Sequence, residues 1–203
     1  MNAAEFAELG NRLFGMLKHP KFLAMQGLAN EVPLFVQAYA AADEDAMRKE
    51  VAALVNRLAA VGLVAQSVDL LSLVLDELIR AGKLELLLAD ERSFSKKDMF
   101  ETLQNYSQPQ KRLVPRLAEH MRKEGTHLTF ITGSGRVFPF LRTHTILESL
   151  QPQMVGHPVV IFFPGQYVQE PGGGSSLRLF GTIPSPAISN PYYRCIDLST
   201  HCL

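Results

Sequence analysis

The residues whose types and spacing best suit chemistry lie in the last third of the chain. His127-Leu-Thr-Phe-Ile-Thr-Gly-Ser-Gly135 is an apolar run that ends on a glycine turn, and Arg136, Arg142 and His144 follow it. Backbone N–H groups laid open by Gly133, Ser134 and Gly135, backed by a guanidinium, would suit an anion or a phosphate at a helix start. The pattern is incomplete. A Walker loop closes on Gly-Lys-Ser/Thr, whereas Gly135 is followed by Arg136 and Val137. A dinucleotide loop needs a small residue three positions after its second glycine, and that position holds Phe138. The spacing favours a structural turn, with an anion site made of free N–H groups and Arg136 as the chemical alternative. Ser134 sits in Thr-Gly-Ser-Gly-Arg, which is not the Gly-x-Ser-x-Gly nucleophile elbow.

Other candidates have a plain structural reading beside the chemical one. His144 and Glu148 are four apart, so on a helix they share a face, as a surface link or as a general acid with its orienting carboxylate. Pro139 reads as the first turn of that helix. Pro164-Gly165 after Val159-Val-Ile-Phe-Phe163 reads as a turn that leaves Gln166 and Tyr167 at the carboxyl edge of a sheet. Asp69, at the end of an earlier apolar run, is either a helix N-cap or a metal or ribose ligand. The histidines are scattered, and the two cysteines, Cys195 and Cys202, do not match a metal knuckle. No metal or cofactor is expected, and no catalytic residue is assigned.

The elements that must hold these residues follow from periodicity. Apolar spacing predicts a helix over 3–17, an irregular stretch from Lys18 to Asn30, and a strand at Pro33-Leu-Phe-Val-Gln-Ala-Tyr39. Asp43 is the expected cap of a helix that buries Met47, Val51, Leu54, Val55, Leu58 and Val61 and stops at Gly62. A strand over 63–68 and a helix over 70–81 come next, closed by Gly82. Strand, helix, strand, helix predicts βαβ units and a parallel sheet. From Lys83 to Gly125 the chain reads as charged helices. Ser95 and Asp98 form a capping box there, Pro109 starts a helix, and Pro115 bends or restarts it. Near the end, Gln166–Ser176 reads as a glycine-rich hairpin tip, with short strands at 177–180 and 192–198.

The expected fold is α/β: one domain over 1–203, with a mainly parallel, Rossmann-like sheet flanked by helices. An N-terminal helical arm occupies 1–30, an extra helical segment 83–125, and antiparallel strands form a C-terminal edge. Composition bounds the function. Of 203 residues 47% are hydrophobic, enough for a sizeable core. Lys+Arg and Asp+Glu are both 20, a balance that argues against a dedicated DNA-coating protein. The basic positions Lys96, Lys97, Lys111, Arg112, Arg116, Arg122 and Lys123 still form a local patch, diluted by Glu101, Glu119 and Glu124. Few cysteines, no secretory leader pattern and no run long enough to span a bilayer predict a cytoplasmic protein with no membrane partner.

Several segments taken in order resemble one family. They are Pro33–Tyr39 with Asp43-Glu44 and Met47–Val51, then Phe130-Ile-Thr-Gly-Ser-Gly-Arg-Val-Phe-Pro-Phe-Leu-Arg142. Pro158-Val-Val-Ile-Phe-Phe-Pro-Gly-Gln-Tyr167, Leu177-Arg-Leu-Phe-Gly181 and Tyr193-Arg194 complete the set. Together they resemble BrxB, a family of bacterial BREX phage-exclusion systems, over about residues 30–198. The Phe-Pro-Phe-Leu-Arg and Phe-Phe-Pro-Gly-Gln-Tyr segments are the specific part. The resemblance implies anti-phage defence alongside other BREX proteins: a DNA methyltransferase, a large ATPase and the alkaline-phosphatase-superfamily protein PglZ. It carries no established active site. The expectation is a non-enzymatic component that binds other BREX proteins, PglZ first, and meets DNA only indirectly. The alternatives are a degenerate nucleotide- or anion-binding protein using Gly133–Gly135, and a DNA-binding subunit. The expected contact residues are Gly133, Ser134, Gly135, Arg136, Arg142, His144, Gln166 and Tyr167.

Overall fold

Alternation of apolar side chains along the strands decides how the layers form. The computed structural model describes residues 1–26, 32–154, 156–169, 175–184 and 195–201. Its seven-stranded sheet contains β1 (Leu34–Tyr39), β2 (Ala65–Asp69), β3 (Leu128–Thr132), β4 (Val159–Gln169), β5 (Ser175–Leu179), β6 (Ile183–Pro184) and β7 (Ile196–Asp197). The main path runs β2-β3-β4-β1-β7 and is parallel throughout. β5 pairs antiparallel with β4, and β6 with β5. The helices are α1 (Ala3–Leu17), α2 (Pro20–Leu23), α3 (Glu44–Ala59), α4 (Leu70–Arg80), α5 (Leu84–Ala89), α6 (Lys96–Tyr106), α7 (Val114–Met121) and α8 (Thr143–Leu150).

Successive side chains of a strand point to opposite faces. Val159, Ile161 and Phe163 of β4 therefore join Leu34, Val36, Val68 and Ile131 on one face. That face is covered by Leu70, Leu73 and Val74 of α4, Val114, Leu117 and Met121 of α7, and Ile146, Leu147 and Leu150 of α8. Val160 and Phe162 join Phe35 and Phe130 on the other, under Leu13 and Leu17 of α1 and Met47, Val51, Leu54 and Leu58 of α3. Both faces are buried, so the central strands read as continuous apolar runs. Truncating Leu54 or Ile161, both fully buried, to Ala would cost about 2–5 kcal/mol.

β4 does more than cross the sheet. Its pairing with β3 ends at Ile161, and its pairing with β1 ends where Tyr39 meets Pro164. Proline has no N–H to donate, and it stands where the parallel ladder stops. Beyond it the strand takes β5 as its partner, from Gly165 opposite Leu179 to Gln169 opposite Ser175. The Tyr167 hydroxyl donates to the Cys195 carbonyl at 3.1 Å. Cys195 precedes Ile196, which is level with Phe35 near the start of β1, whereas Val159 is level with Leu34. A straight strand would carry Tyr167 about 26 Å past that level, at roughly 3.3 Å per residue. The hairpin instead curls back over the sheet and buries Leu177 and Leu179 in the first core. Gly165 sits at the bend because a Cβ there would strike the Arg178 carbonyl and the Phe163 ring.

The α/β class and the parallel sheet agree with the sequence reading, and several local expectations do not. Pro164-Gly165 is not a turn but the middle of β4. The helix expected after Gly135 does not begin until Thr143, and residues 134–140 form a series of turns in which the Phe138–Pro139 peptide is cis. Pro139 therefore starts no helix. Asp43 occupies the cap position of α3 but makes no capping bond, because its carboxylate pairs with the amino terminus at 3.1 Å. Val61 lies past the end of α3 and is exposed, and Val55 is only partly buried. Pro20–Leu23 is helical inside the stretch expected to be irregular. Ser95 caps α6 by accepting from the Asp98 N–H, but the Asp98 carboxylate accepts from the Ser95 hydroxyl, not from its backbone N–H. Pro109 opens a π-helical turn, Pro109–Leu113, and Pro115 lies in the first turn of α7, where the helix restarts. β7 lies parallel to β1, while the antiparallel edge is made by β5 and β6. Residues 170–174 of the hairpin tip and 192–194 of the last strand lie outside the described residues.

Candidate functional site

Three strands end at one rim, and a fourth leaves the parallel sheet there. Tyr39 ends β1, Asp69 ends β2, Thr132 ends β3, and Pro164 marks the level at which β4 leaves the parallel sheet. In open α/β sheets ligands bind outside the carboxyl ends of the strands, which makes this rim the first place to look.

Asp69 organises one side of it. Its Oδ1 accepts the Ser72 N–H at 2.9 Å and so caps α4. Its Oδ2 receives Arg136 at 3.0 Å and the Thr132 hydroxyl at 3.4 Å. Gly133 makes this possible. Its φ is +78°, and a Cβ there would lie 2.5 Å from Asp69 Oδ2. The loop thus closes on a carboxylate of its own chain. Ser134 is buried, with its hydroxyl donating to the Phe162 carbonyl at 3.3 Å. The guanidinium expected to meet an anion, Arg136, already holds Asp69, and the nearest following helix starts well beyond the loop.

Tyr39 and Glu44 form the opposite side. The Tyr39 hydroxyl donates to Glu44 Oε2 at 2.5 Å, while Glu44 Oε1 is buried without a hydrogen-bond partner among the described residues. Burial first, then the hydrogen bond to Glu44 and the negative charges of Glu44 and Asp69, push the Tyr39 phenol up from its ordinary range. Tyr39 therefore stays a proton donor.

Aromatic residues link the loop to the hairpin. A Cβ at Gly135 would lie 2.7 Å from Pro164 Cγ and 3.1 Å from the Phe180 ring, so this glycine is where the two segments touch. Phe180 meets Phe138 edge to face, with centroids 6.0 Å apart. The Arg142 guanidinium lies 5.5 Å from the centre of the Phe138 ring. Gln166 lies beside Gly181, next to Phe180. Gly133, Ser134, Gly135, Arg136, Arg142 and Gln166 thus belong to one rim or its margin. His144 follows Arg142 in the first turn of α8, where burial lowers its pKa, Glu148 raises it and Arg142 lowers it. Tyr167 departs, carried back over the sheet face by the curled hairpin. The sequence reading gave no role to Phe138 or Phe180. The signal for Phe180 was its place before Gly181, in a turn.

Among the described residues no group of three metal-ligating side chains comes together. A separate cleft of about 610 Å³ lies between α7 and α8, lined by Val114, Ala118, Arg122, Thr145, Glu148 and Gln153 among others, and none of the rim residues lines it. No helix of the described residues is long and apolar enough to cross a membrane.

A family model described as BrxB, BREX protein BrxB, matches residues 66–198, a span that includes Asp69, the Gly133–Gly135 loop, Arg142, Pro164 and Phe180. The chain belongs to the BrxB family. It is 22% identical over 175 residues to a BREX protein BrxB of Escherichia coli O9:H4 (strain HS), covering 83% of this chain and 86% of that protein. It is 40% identical over 77 residues to a BREX protein BrxB of Bacillus cereus (strain H3081.97), covering 38% of this chain and 35% of that protein. No solved structure matches.

Proposed function

We propose that this chain is a non-enzymatic component of a BREX anti-phage defence system that binds and supports other proteins of that system, with a PglZ-like protein as its first partner. Membership of the BrxB family supports the setting. The observation that most favours binding over catalysis is the state of the Gly133–Gly135 loop: its cation is engaged by Asp69 at 3.0 Å and its serine hydroxyl is turned into the core. A phosphate cradle needs those groups free. The nucleotide or anion reading has less support for the same reason.

The DNA-binding reading is weakened at its basic patch. Arg112 and Arg116 both face Glu77, at 3.4 and 3.8 Å, and Arg116 also pairs with Glu119. Lys97 pairs with Glu101. Phosphodiester binding relies on cations that can trade counterions for phosphates, and three of the seven basic positions, Lys97, Arg112 and Arg116, are already matched.

Co-purification tests the proposal. Tagged chain expressed in cells carrying the whole system should retain the PglZ-like protein through washes at about 150 mM salt, a range in which exposed charges are already strongly screened. Recovery of the tagged chain without any other BREX protein would overturn it.

A further inference from the structure

Phe180 is one of two non-glycine residues with positive φ among the described residues, at +55°. A bulky side chain in the left-handed region is an outlier, and such strain gathers at working surfaces. Glycine adopts this conformation freely, and glycine is the very next residue, Gly181. Phe180 is nevertheless 40% exposed. Its core contribution is therefore partial, and the strain calls for another reason.

Its surroundings supply one. The backbone N–H of Phe180 is fixed to the Pro164 carbonyl at 2.8 Å, so the turn is rigidly attached to β4. The ring packs against Gly135 and meets Phe138 edge to face, and Phe138 carries the Arg142 guanidinium. Arg142 is exposed and has no carboxylate within ion-pair distance among the described residues. The neighbouring cation, Arg136, is already neutralised by Asp69. A rigid aromatic next to a ring-stacked, unmatched guanidinium has the composition of an interface anchor.

We propose that the face formed by the exposed Phe180 and Arg142 with the half-buried Phe138 between them is the surface on which this chain docks a partner protein, through a segment that offers an apolar side chain to Phe180 and a carboxylate to Arg142. This inference rests on the partner-binding function proposed above and names the surface that performs it. Charge selects the occupant. One surplus cation suits a single carboxylate, whereas a nucleic-acid backbone would require several unmatched cations along its path. Carboxylate pairs with a guanidinium in fork geometry, and the Phe138 ring, 5.5 Å from Arg142, gives that guanidinium a cation–π contact on the same face.

The test uses the full chain and the purified PglZ-like protein of the same system in a direct binding titration, with three variants. Phe180→Gly removes the ring yet suits the backbone, so its urea midpoint should match or exceed that of the wild type. Its affinity should fall at least about 30-fold, the size expected for an interface anchor. Arg142→Glu should weaken binding more than Arg142→Gln does. If the wild type binds and these variants bind within about twofold of it, the surface is wrong while partner binding stands. If the wild type itself does not bind, the partner reading fails and its proposed surface fails with it. A parallel titration with a single-stranded 20-nucleotide DNA decides the class: binding lost specifically in Phe180→Gly would make the occupant a nucleic acid and overturn the proposal.

Discussion

Replacing Gly133 with Ala tests whether the rim is organised around Asp69. Two costs arise from the structure. At φ +78° an alanine meets the left-handed penalty, about 1–2 kcal/mol. Its Cβ would also lie 2.5 Å from Asp69 Oδ2, about 1 Å inside ordinary contact, so the carboxylate must withdraw. Withdrawal breaks the Ser72 cap, worth about 1 kcal/mol. It also loosens the Arg136 pair, which is partly exposed and contributes no more than about 1 kcal/mol. The total is about 2–4 kcal/mol, which for a chain of this size lowers Tm by roughly 4–16 °C. Equilibrium urea unfolding reads it directly. A thermodynamic cycle separates the two parts: in an Asp69→Ala background the same Gly133→Ala change should cost only the backbone part, about 1–2 kcal/mol. An equal cost in both backgrounds would show that Asp69 does not press on Gly133, and a cost under about 0.5 kcal/mol would refute the reasoning as a whole.

Two other outcomes follow from the core and the helices. Burial lowers the pKa of His120, His144 and His157, so each favours its neutral form in the folded chain. Unfolded histidines protonate first as pH falls below about 6.5, so this contribution is complete above that pH and is lost as pH falls toward the folded values. The urea midpoint should drop between pH 7.5 and pH 5. His157→Gln, which keeps an amide facing the Thr129 hydroxyl now 3.0 Å from Nε2, should flatten the drop, and an unchanged slope would count against this account. Glu77→Ala removes the carboxylate that accepts from Arg112 and lies 3.8 Å from Arg116, and should cost about 1–3 kcal/mol by urea unfolding, with no loss taken as disproof.

The sheet was legible because its signals are local. Val159 to Phe163 is a run of apolar residues with β-branched members, which reads as a strand buried on both faces whatever surrounds it. Gly62 and Gly82 end helices in the left-handed conformation, as their positions suggest. Pro164-Gly165 misled for a physical reason. The pair breaks a ladder, and the ladder with β1 does end there, but the chain remains extended by exchanging one partner for another. That exchange depends on residues 175–179, which a local reading cannot weigh. The rim was only partly legible, on the same grounds. The Gly133–Gly135 turn is visible in the sequence, whereas the carboxylate that closes it comes from Asp69, sixty-odd positions earlier, through a contact between β2 and β3. Phe180 joined the site only because β4 curls back and brings its turn to Gly135.

The strand order also bears on how the chain is made. β1 is made before every other strand of the sheet, yet both of its sheet neighbours lie more than 100 residues further along: Leu34 pairs with Val159, and Phe35 with Ile196. β2 and β3 can join while synthesis continues, but β1 must wait for β4. Such long-range closure slows folding. During that interval Leu34, Phe35 and Val36 have no strand beside them: Phe35 has α1 and α3 to pack against, and Leu34 and Val36 have α4 and α7. β1 thus keeps both of its backbone edges unpaired until β4 is made, an exposure created by topology and not by any single residue.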